Sequence, residues 1–289
     1  MMKRVFTNAL LSMCLLIAGL TPGPTWAAES FELLSAGSAK DKRVLRYDLK
    51  VGTQQTVQTI TQVRVENPAM PQPMVQEHAT QLKATVNSKE KDGSWRIETL
   101  TTAELFQQFP GLDGLRSKLS MTPVGDLKVL NMPEQIAQLS KAMGSDNEQA
   151  KQLIESMSGT SSNQALMLPK VAVGTGAVWT SKTTSSMGQF GDIMLDSRYE
   201  IKKMSGDLIE IGFVGKMEFG ELLGKVTGNN PMKMRLTKAE ITGTYAVHLK
   251  RPQVIGTMHS MMVMEVALPG GQGGTINMTT TVSMRELKP

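Results

Sequence analysis

The side chains of this chain best suited to chemistry are its thioethers. In M-H-S-M-M-V-M, Met258 to Met264, four methionines stand beside His259, and thioether sulfur with imidazole is a donor set for Cu(I). Flexible thioethers also line surfaces that accept varied apolar ligands, and they fill irregular cores. Strand alternation separates these uses. On a strand, His259 and Met261 project away from Met258, Met262 and Met264, so one strand cannot present the whole donor set and no metal site is expected. The same period of two groups Met232, Met234 and Leu236 on one strand face, Met258, Met262 and Met264 on a second, and Met278, Val282 and Met284 on a third. Lys233, Arg235 and Glu265 fall on the other side, which makes the methionine faces the inward ones. Met232, Met234, Met258, Met262, Met264, Met278 and Met284 are therefore the candidate apolar-ligand face, with plain core packing as the competing use.

No other stretch assembles a reaction centre, and no catalytic residue, metal or cofactor is assigned. His78, His248 and His259 each stand alone on an expected strand and read as surface or core residues. No G-x-S-x-G elbow occurs. Gly220-E-L-L-Gly224-Lys225 is one residue short of the phosphate-loop spacing, and Val226 stands where Ser or Thr is required. Gly174-T-Gly176 lacks the third glycine of a dinucleotide turn. Glu218 and Glu221 are near in sequence, as acidic residues on solvated faces commonly are.

The elements that position the methionines begin after an export signal. Met1 to Arg4 is basic, Val5 to Leu20 mostly apolar, and Thr21 to Ala28 carries small residues at Thr25 and Ala27. This is the plan of a secretory signal peptide over residues 1–27, with cleavage expected after Ala27. The apolar run is short for a spanning helix, so no transmembrane segment is expected after cleavage. Cys14 is the only cysteine and lies within that run. L-S-M-C, Leu11 to Cys14, resembles a lipoprotein box, but the apolar run continues past it, so lipoprotein processing is not expected. The exported chain then has no disulfide and no thiolate, and must be held by its core. Three of the 22 methionines precede residue 28, leaving 19. Basic residues exceed acidic ones by 31 to 26 and are dispersed, which suits solubility rather than nucleic-acid binding.

Along the rest of the chain the dominant pattern is alternation. Leu45, Tyr47, Leu49 and Val51 share one side of an expected strand, as do Val57, Val63 and Val65 in the Thr-rich stretch from Thr53 to Glu66. Asn67 to Pro73 reads as a loop, and Met74 to Ser88 and Ser94 to Leu105 read as a hairpin turning at Lys91-Asp92-Gly93. Phe106 to Leu119 fits either a loop tucking in Phe106, Phe109 and Leu112 or a short helix. Ser120 to Asn131 reads as strand, turn and strand. Two helices follow. One opens at Pro133, carries Ile136, Leu139 and Met143 on one face and stops at Gly144. The other has the capping pair Ser145 and Glu148 and stops at Gly159. Further strands are expected at Ala177 to Ser186, Met194 to Met204, Leu208 to Glu218, Met232 to Lys250, Thr257 to Leu268 and Thr275 to Leu287, with Pro269 to Gly274 as the turn between the last two.

The fold class is thus mainly β: antiparallel sheet, either two related halves forming a curved sheet or sandwich or a single β domain whose turns happen to be spaced alike, with a helical hairpin at 133–158. The divisions are 28–132 for the N-terminal half, 133–164 for the hairpin and linker, and 165–289 for the C-terminal half. Three landmarks suggest a relation between the halves. They are Val51-Gly52-Thr53 with Val173-Gly174-Thr175, Asp92-Gly93 with Ser205-Gly206-Asp207, and Gly125 with Gly243, at spans of 73 and 69 residues. Aromatics make up 4% of the chain, which ends E-L-K-P, too few for the girdles of a membrane barrel.

At Leu168-Pro169, Val173-Gly174 and Trp179 the chain resembles an uncharacterised family of secreted bacterial β-rich proteins with a mid-chain Leu-Pro, Val-Gly, Trp signature. The resemblance covers residues 168–179, and two extra residues separate Gly174 from Trp179. It implies an envelope location, no activity, and no functional residues to carry over. The leading expectation is a non-enzymatic periplasmic or secreted protein binding a lipid or other apolar small molecule on its Met-rich inner face. The second is a structural or interaction module with a solid core and an envelope protein as partner. The third is a hydrolase with an unrecognised site. No nucleic-acid partner is expected.

Overall fold

The computed structural model describes residues 28–67, 72–104, 106, 112–144, 165–186, 192–219, 222–225, 231–267 and 273–288. The expected signal peptide and Cys14, Phe109 and the second helix around 145–159 lie outside the described residues.

The strands are β1 (Ala28–Ser35), β2 (Arg43–Val44), β3 (Gln54–Glu66), β4 (Met74–Lys89), β5 (Trp95–Ala103), β6 (Leu115–Met121), β7 (Leu127–Val129), β8 (Ala172–Val173), β9 (Val178–Ser186), β10 (Asp192–Ser205), β11 (Leu208–Phe219), β12 (Leu222–Lys225), β13 (Pro231–His248), β14 (Ile255–Ala267) and β15 (Gly273–Leu287), with a helix α1 (Met132–Met143) between β7 and β8. Thirteen strands form one antiparallel sheet in the order β1-β9-β10-β11-β13-β14-β15-β3-β4-β5-β6-β7, with β12 beside β13. The fold is mainly β, as the alternation implied. The short β2 and β8 pair separately. β1 crosses from the N-terminal half to the far edge of the C-terminal one, where it pairs with β9.

One face of this sheet is buried, and among the described residues the only other sheet is the two-residue β2–β8 pair, so the large sheet wraps around its own apolar side. Two adjacent amides measure the curl. Tyr47 N donates to Pro123 O (2.9 Å), just after β6, and Asp48 N donates to Leu249 O (2.8 Å), just after β13. Those strands stand six places apart in the order, which in a flat sheet is about 29 Å at about 4.8 Å per strand. Neighbouring residues span about 3.8 Å, so the sheet is rolled until the two turns nearly meet. Register shifts at Val86/Ser88, Ile201/Lys203 and Leu236/Lys238 supply local bends. β1 and β7 stay unpaired with each other, leaving an open roll rather than a closed barrel.

The tight turns β4–β5, β6–β7, β10–β11 and β13–β14 gather at one end, and two chain segments close that end. Leu45, Tyr47 and Leu49 from one, and Ala165, Leu166 and Leu168 from the other, are all buried. The Tyr47 hydroxyl accepts from Leu166 N (3.0 Å) and donates to Leu166 O (3.2 Å), and Trp95 Nε1 donates to Leu49 O (3.0 Å). This corrects the expected strand at 43–51. Only Arg43 and Val44 pair as strand, and Val51 is exposed instead of sharing the inner side. The segment's amides are taken by turns at the roll's end, so it crosses the strands instead of joining their ladder. The mid-chain signature serves the same closure. Leu168, Val173 and Trp179 are buried, and a Cβ on Gly174 would come within 2.2 Å of Ser38 O and 2.5 Å of Asp41 Oδ1.

α1 packs on β6 toward the opposite end. Pro lies in its first turn and Gly144 ends it in the left-handed conformation. Gln135 Nε2 bonds the Ser117 hydroxyl and Arg116 O, and Gln138 Nε2 bonds Gly114 O. Leu139 joins Phe106, Leu112 and Leu115 in a small apolar cluster separate from the main core.

Candidate functional site: the inner face of the roll

Alternation fixes which side chains enter the roll. Met258, Met262, Met264 and Met278 are 2% exposed or less, and Met284 is also buried. His259 and Met261 point out, and the His259 ring lies 3.2 Å from Thr281 Oγ1 on the outer surface. The thioether–imidazole cluster is therefore split between the two faces of β14. Met232 and Met234 stand on β13, in register with Gly224 and with Leu222 and Val266, and their side chains lie outside the described residues. Glu218 is exposed on β11, whereas Gly220 and Glu221 lie outside the described residues.

Cross-strand register arranges the inner face in rows. One row, away from the closed end, runs Ala239, Met262, Met278, Val65, Met74 from β13 to β4. The next runs Ser197, Gly215, Ile241, Ser260, Thr280, Val63, Gln76 from β10 to β4. The third, nearer the closed end, runs Trp179, Tyr199, Phe213, Gly243, Met258, Val282, Thr61, His78 from β9 to β4. A polar row thus lies between two mainly apolar ones.

The three walls of the roll differ in stiffness and access. On the β1–β13 side, aromatic rings form a continuous stack: Phe31 to Trp179 (6.5 Å), Trp179 to Tyr199 (5.4 Å), Tyr199 to Phe213 (6.0 Å) and Phe213 to Tyr245 (4.6 Å between centroids, 5° between planes). Each such pair adds about 0.5–1.5 kcal/mol beyond its burial, so this wall is stiff. The β14–β15 wall is made of methionines, whose unbranched side chains re-rotate at low cost. On β4 the inward Met74, Gln76, His78, Thr80 and Leu82 are only half-buried. β5 pairs with β4 only from Thr80 onward, so among the described residues the first six of β4 pair with β3 alone. Along that stretch the inner face of the sheet is partly accessible.

Charge is excluded from the interior: among the described residues, no buried one is Lys, Arg, Asp or Glu. Hydrogen-bonding capacity is not. Gln76 Oε1, His78 Nε2, Thr99 Oγ1 and Thr280 Oγ1 are buried and have no hydrogen-bond partner. The inward period picks out Ser260 between Met258 and Met262, and Thr280 between Met278 and Val282. Judged by apolar residues alone, such positions look like interruptions of the face, and only in register do they join into a row.

No protein-family model matches the chain, and no curated protein matches it. Among solved structures, the chain is similar to DynF from the dynemicin biosynthesis pathway of Micromonospora chersina at 8% identity and a TM-score of 0.21, over 92% of this chain and 94% of that one.

Proposed function

We propose that this protein is a non-enzymatic binding protein of the bacterial envelope that holds a lipid or other apolar molecule against the methionine wall of its roll. The observation that carries the reading is the joining of that wall, row by row, to the half-buried inner face of β4. An apolar chain entering beside Met74 would lie against Val65, Met278 and Met262, which offer no charge, and the two methionines can re-rotate to make room. The export pattern of residues 1–27 and the lack of cysteine after Cys14 support an envelope location, as does the resemblance of residues 168–179 to secreted β-rich proteins. Among the described residues no helix is long and apolar enough to cross a membrane. Native mass spectrometry of protein purified gently from its own envelope tests the proposal. A bound apolar mass is expected, and bare polypeptide from several preparations would count heavily against it.

A second reading is an interaction module with a solid core, meeting another envelope protein through a sheet edge such as that of β1. It is favoured by the near-complete burial of Met258, Met262, Met264 and Met278. A crosslinked envelope partner, together with no bound mass, would select it.

A further inference from the structure

The unpartnered atoms of the inner face specify more than an apolar ligand. Thr280 on β15 pairs with Val63 on β3, and Val63 pairs with Gln76 on β4, so Thr280 and Gln76 share one row about 10 Å apart. His78 is the next inward residue along β4. Gln76 Oε1, His78 Nε2 and Thr280 Oγ1 are all buried without a partner, and each such group costs about 1–3 kcal/mol when left unsatisfied. The Gln76 amide nitrogen is turned to Met74 Sδ (4.0 Å), which leaves its oxygen, an obligate acceptor, facing inward. The missing partner must therefore donate a hydrogen bond. An uncharged partner is favoured, because no buried Lys, Arg, Asp or Glu stands among the described residues and an unpaired ion meets a desolvation penalty there. Met278, Val65 and Met74 flank these groups on one side and Val282 and Thr61 on the other, a setting that suits a small polar group attached to an apolar body.

We infer that the ligand is a neutral amphiphile bearing a hydroxyl headgroup, which docks on Gln76, His78 and Thr280 while its chain runs along Met74, Met262 and Met278. This rests on the binding function proposed above and adds the chemical class of the ligand. An ionised fatty acid is disfavoured twice, since its carboxylate brings a charge and has no proton for Gln76 Oε1. A fatty ester without a hydroxyl lacks the donor as well.

Three probes with the same chain separate these cases: monoolein, methyl oleate and oleate, titrated into the delipidated protein in neutral buffer. Monoolein should bind about tenfold more tightly than either of the others, the worth of roughly one net hydrogen bond. Thr280→Val, which keeps the shape, and Gln76→Met should each erase that advantage, so that monoolein and methyl oleate bind each variant alike. Equal affinities, a preference for oleate, or an advantage that survives in both variants overturns the inference and leaves the binding function standing. Failure of all three probes to bind, with no ligand co-purifying, removes the binding function and this inference with it.

Discussion

The Phe213 ring lies over Gly243, its neighbour across the β11–β13 pair. A Cβ placed on Gly243 would come within 2.6 Å of Phe213 Cε1 and 2.4 Å of Thr257 O. The glycine thus gives the ring a seat from which it stacks flat on Tyr245, and the ring covers backbone that glycine leaves bare. Gly243→Ala should destabilise the fold by about 3 kcal/mol, the upper end for overpacking, because one of the two obstacles is backbone and cannot turn aside. Adding Phe213→Leu should cost less than the sum of the single changes, since it removes the other obstacle. Denaturant unfolding of the three variants gives the comparison.

Tyr47 tests whether the closed end is structural. Its hydroxyl satisfies both the amide and the carbonyl of Leu166, in a region sealed by Leu45, Leu49 and Leu168. Tyr47→Phe would leave that buried amide without an acceptor, at about 1–3 kcal/mol. The loss should appear as a lower denaturant midpoint with an unchanged slope, because the extent of burial stays the same.

Much of this architecture is legible in the chain, for a reason visible at particular residues. β14 and β15 alternate strictly, so Met258, Met262 and Met278 declare their side without knowledge of any partner. β1 escapes because Leu33 and Leu34 are adjacent, one half-buried and one exposed, and because its partner β9 is far along the chain. The stretch from Leu45 to Leu49 shows the opposite failure. Alternation there correctly reports burial, but it says nothing about which carbonyls receive the amides, and those belong to turns rather than to a neighbouring strand. The landmark glycines are similar. Gly93 and Gly206 both lie at hairpin turns, β4–β5 and β10–β11, whereas Gly125 lies in a turn and Gly243 within a long strand. Spacing equates positions whose backbone roles can differ.

Met262 distinguishes the amount of apolar volume from its shape. It is 1% exposed and faces Met278 across the β14–β15 pair. Met262→Leu nearly conserves volume and should cost less than about 1.5 kcal/mol, while Met262→Ala leaves a cavity and should cost about 2–5 kcal/mol. Similar losses for both variants would mean that thioether flexibility itself is needed there.

Acid stability should depend on Asp41. The Thr175 hydroxyl and amide donate to its carboxylate and hold its pKa below the ordinary value, with partial burial opposing them. A carboxyl depressed in the folded state stabilises it above the unfolded value of about 4, and that contribution disappears as pH falls through the folded value. Asp41→Asn should therefore be less stable than the parent at neutral pH. The difference should close on acidification below about pH 4, as followed by denaturant midpoints across a pH series.

The alkaline limb should be set by tyrosine. The chain has three tyrosines, and all of them, Tyr47, Tyr199 and Tyr245, are buried. Burial raises each phenol above its usual pKa. The hydrogen bond with Leu166 works against this at Tyr47 and the Ser197 hydroxyl does so at Tyr199, while Tyr199 adds to it at Tyr245. A phenol raised in the folded state contributes stability that is intact below the unfolded value of about 10 and is lost as pH climbs toward the folded one. Each tyrosine can remove up to about 1.4 kcal/mol per pH unit in that window, and the three together about 4 kcal/mol. Phenolate absorbance should consequently stay absent above pH 10 while the fold persists, then appear for all three rings in one cooperative step coincident with loss of the sheet's circular dichroism. Phenolate appearing gradually ahead of unfolding would show that a ring is accessible, and Tyr47→Phe, Tyr199→Phe and Tyr245→Phe would identify which one.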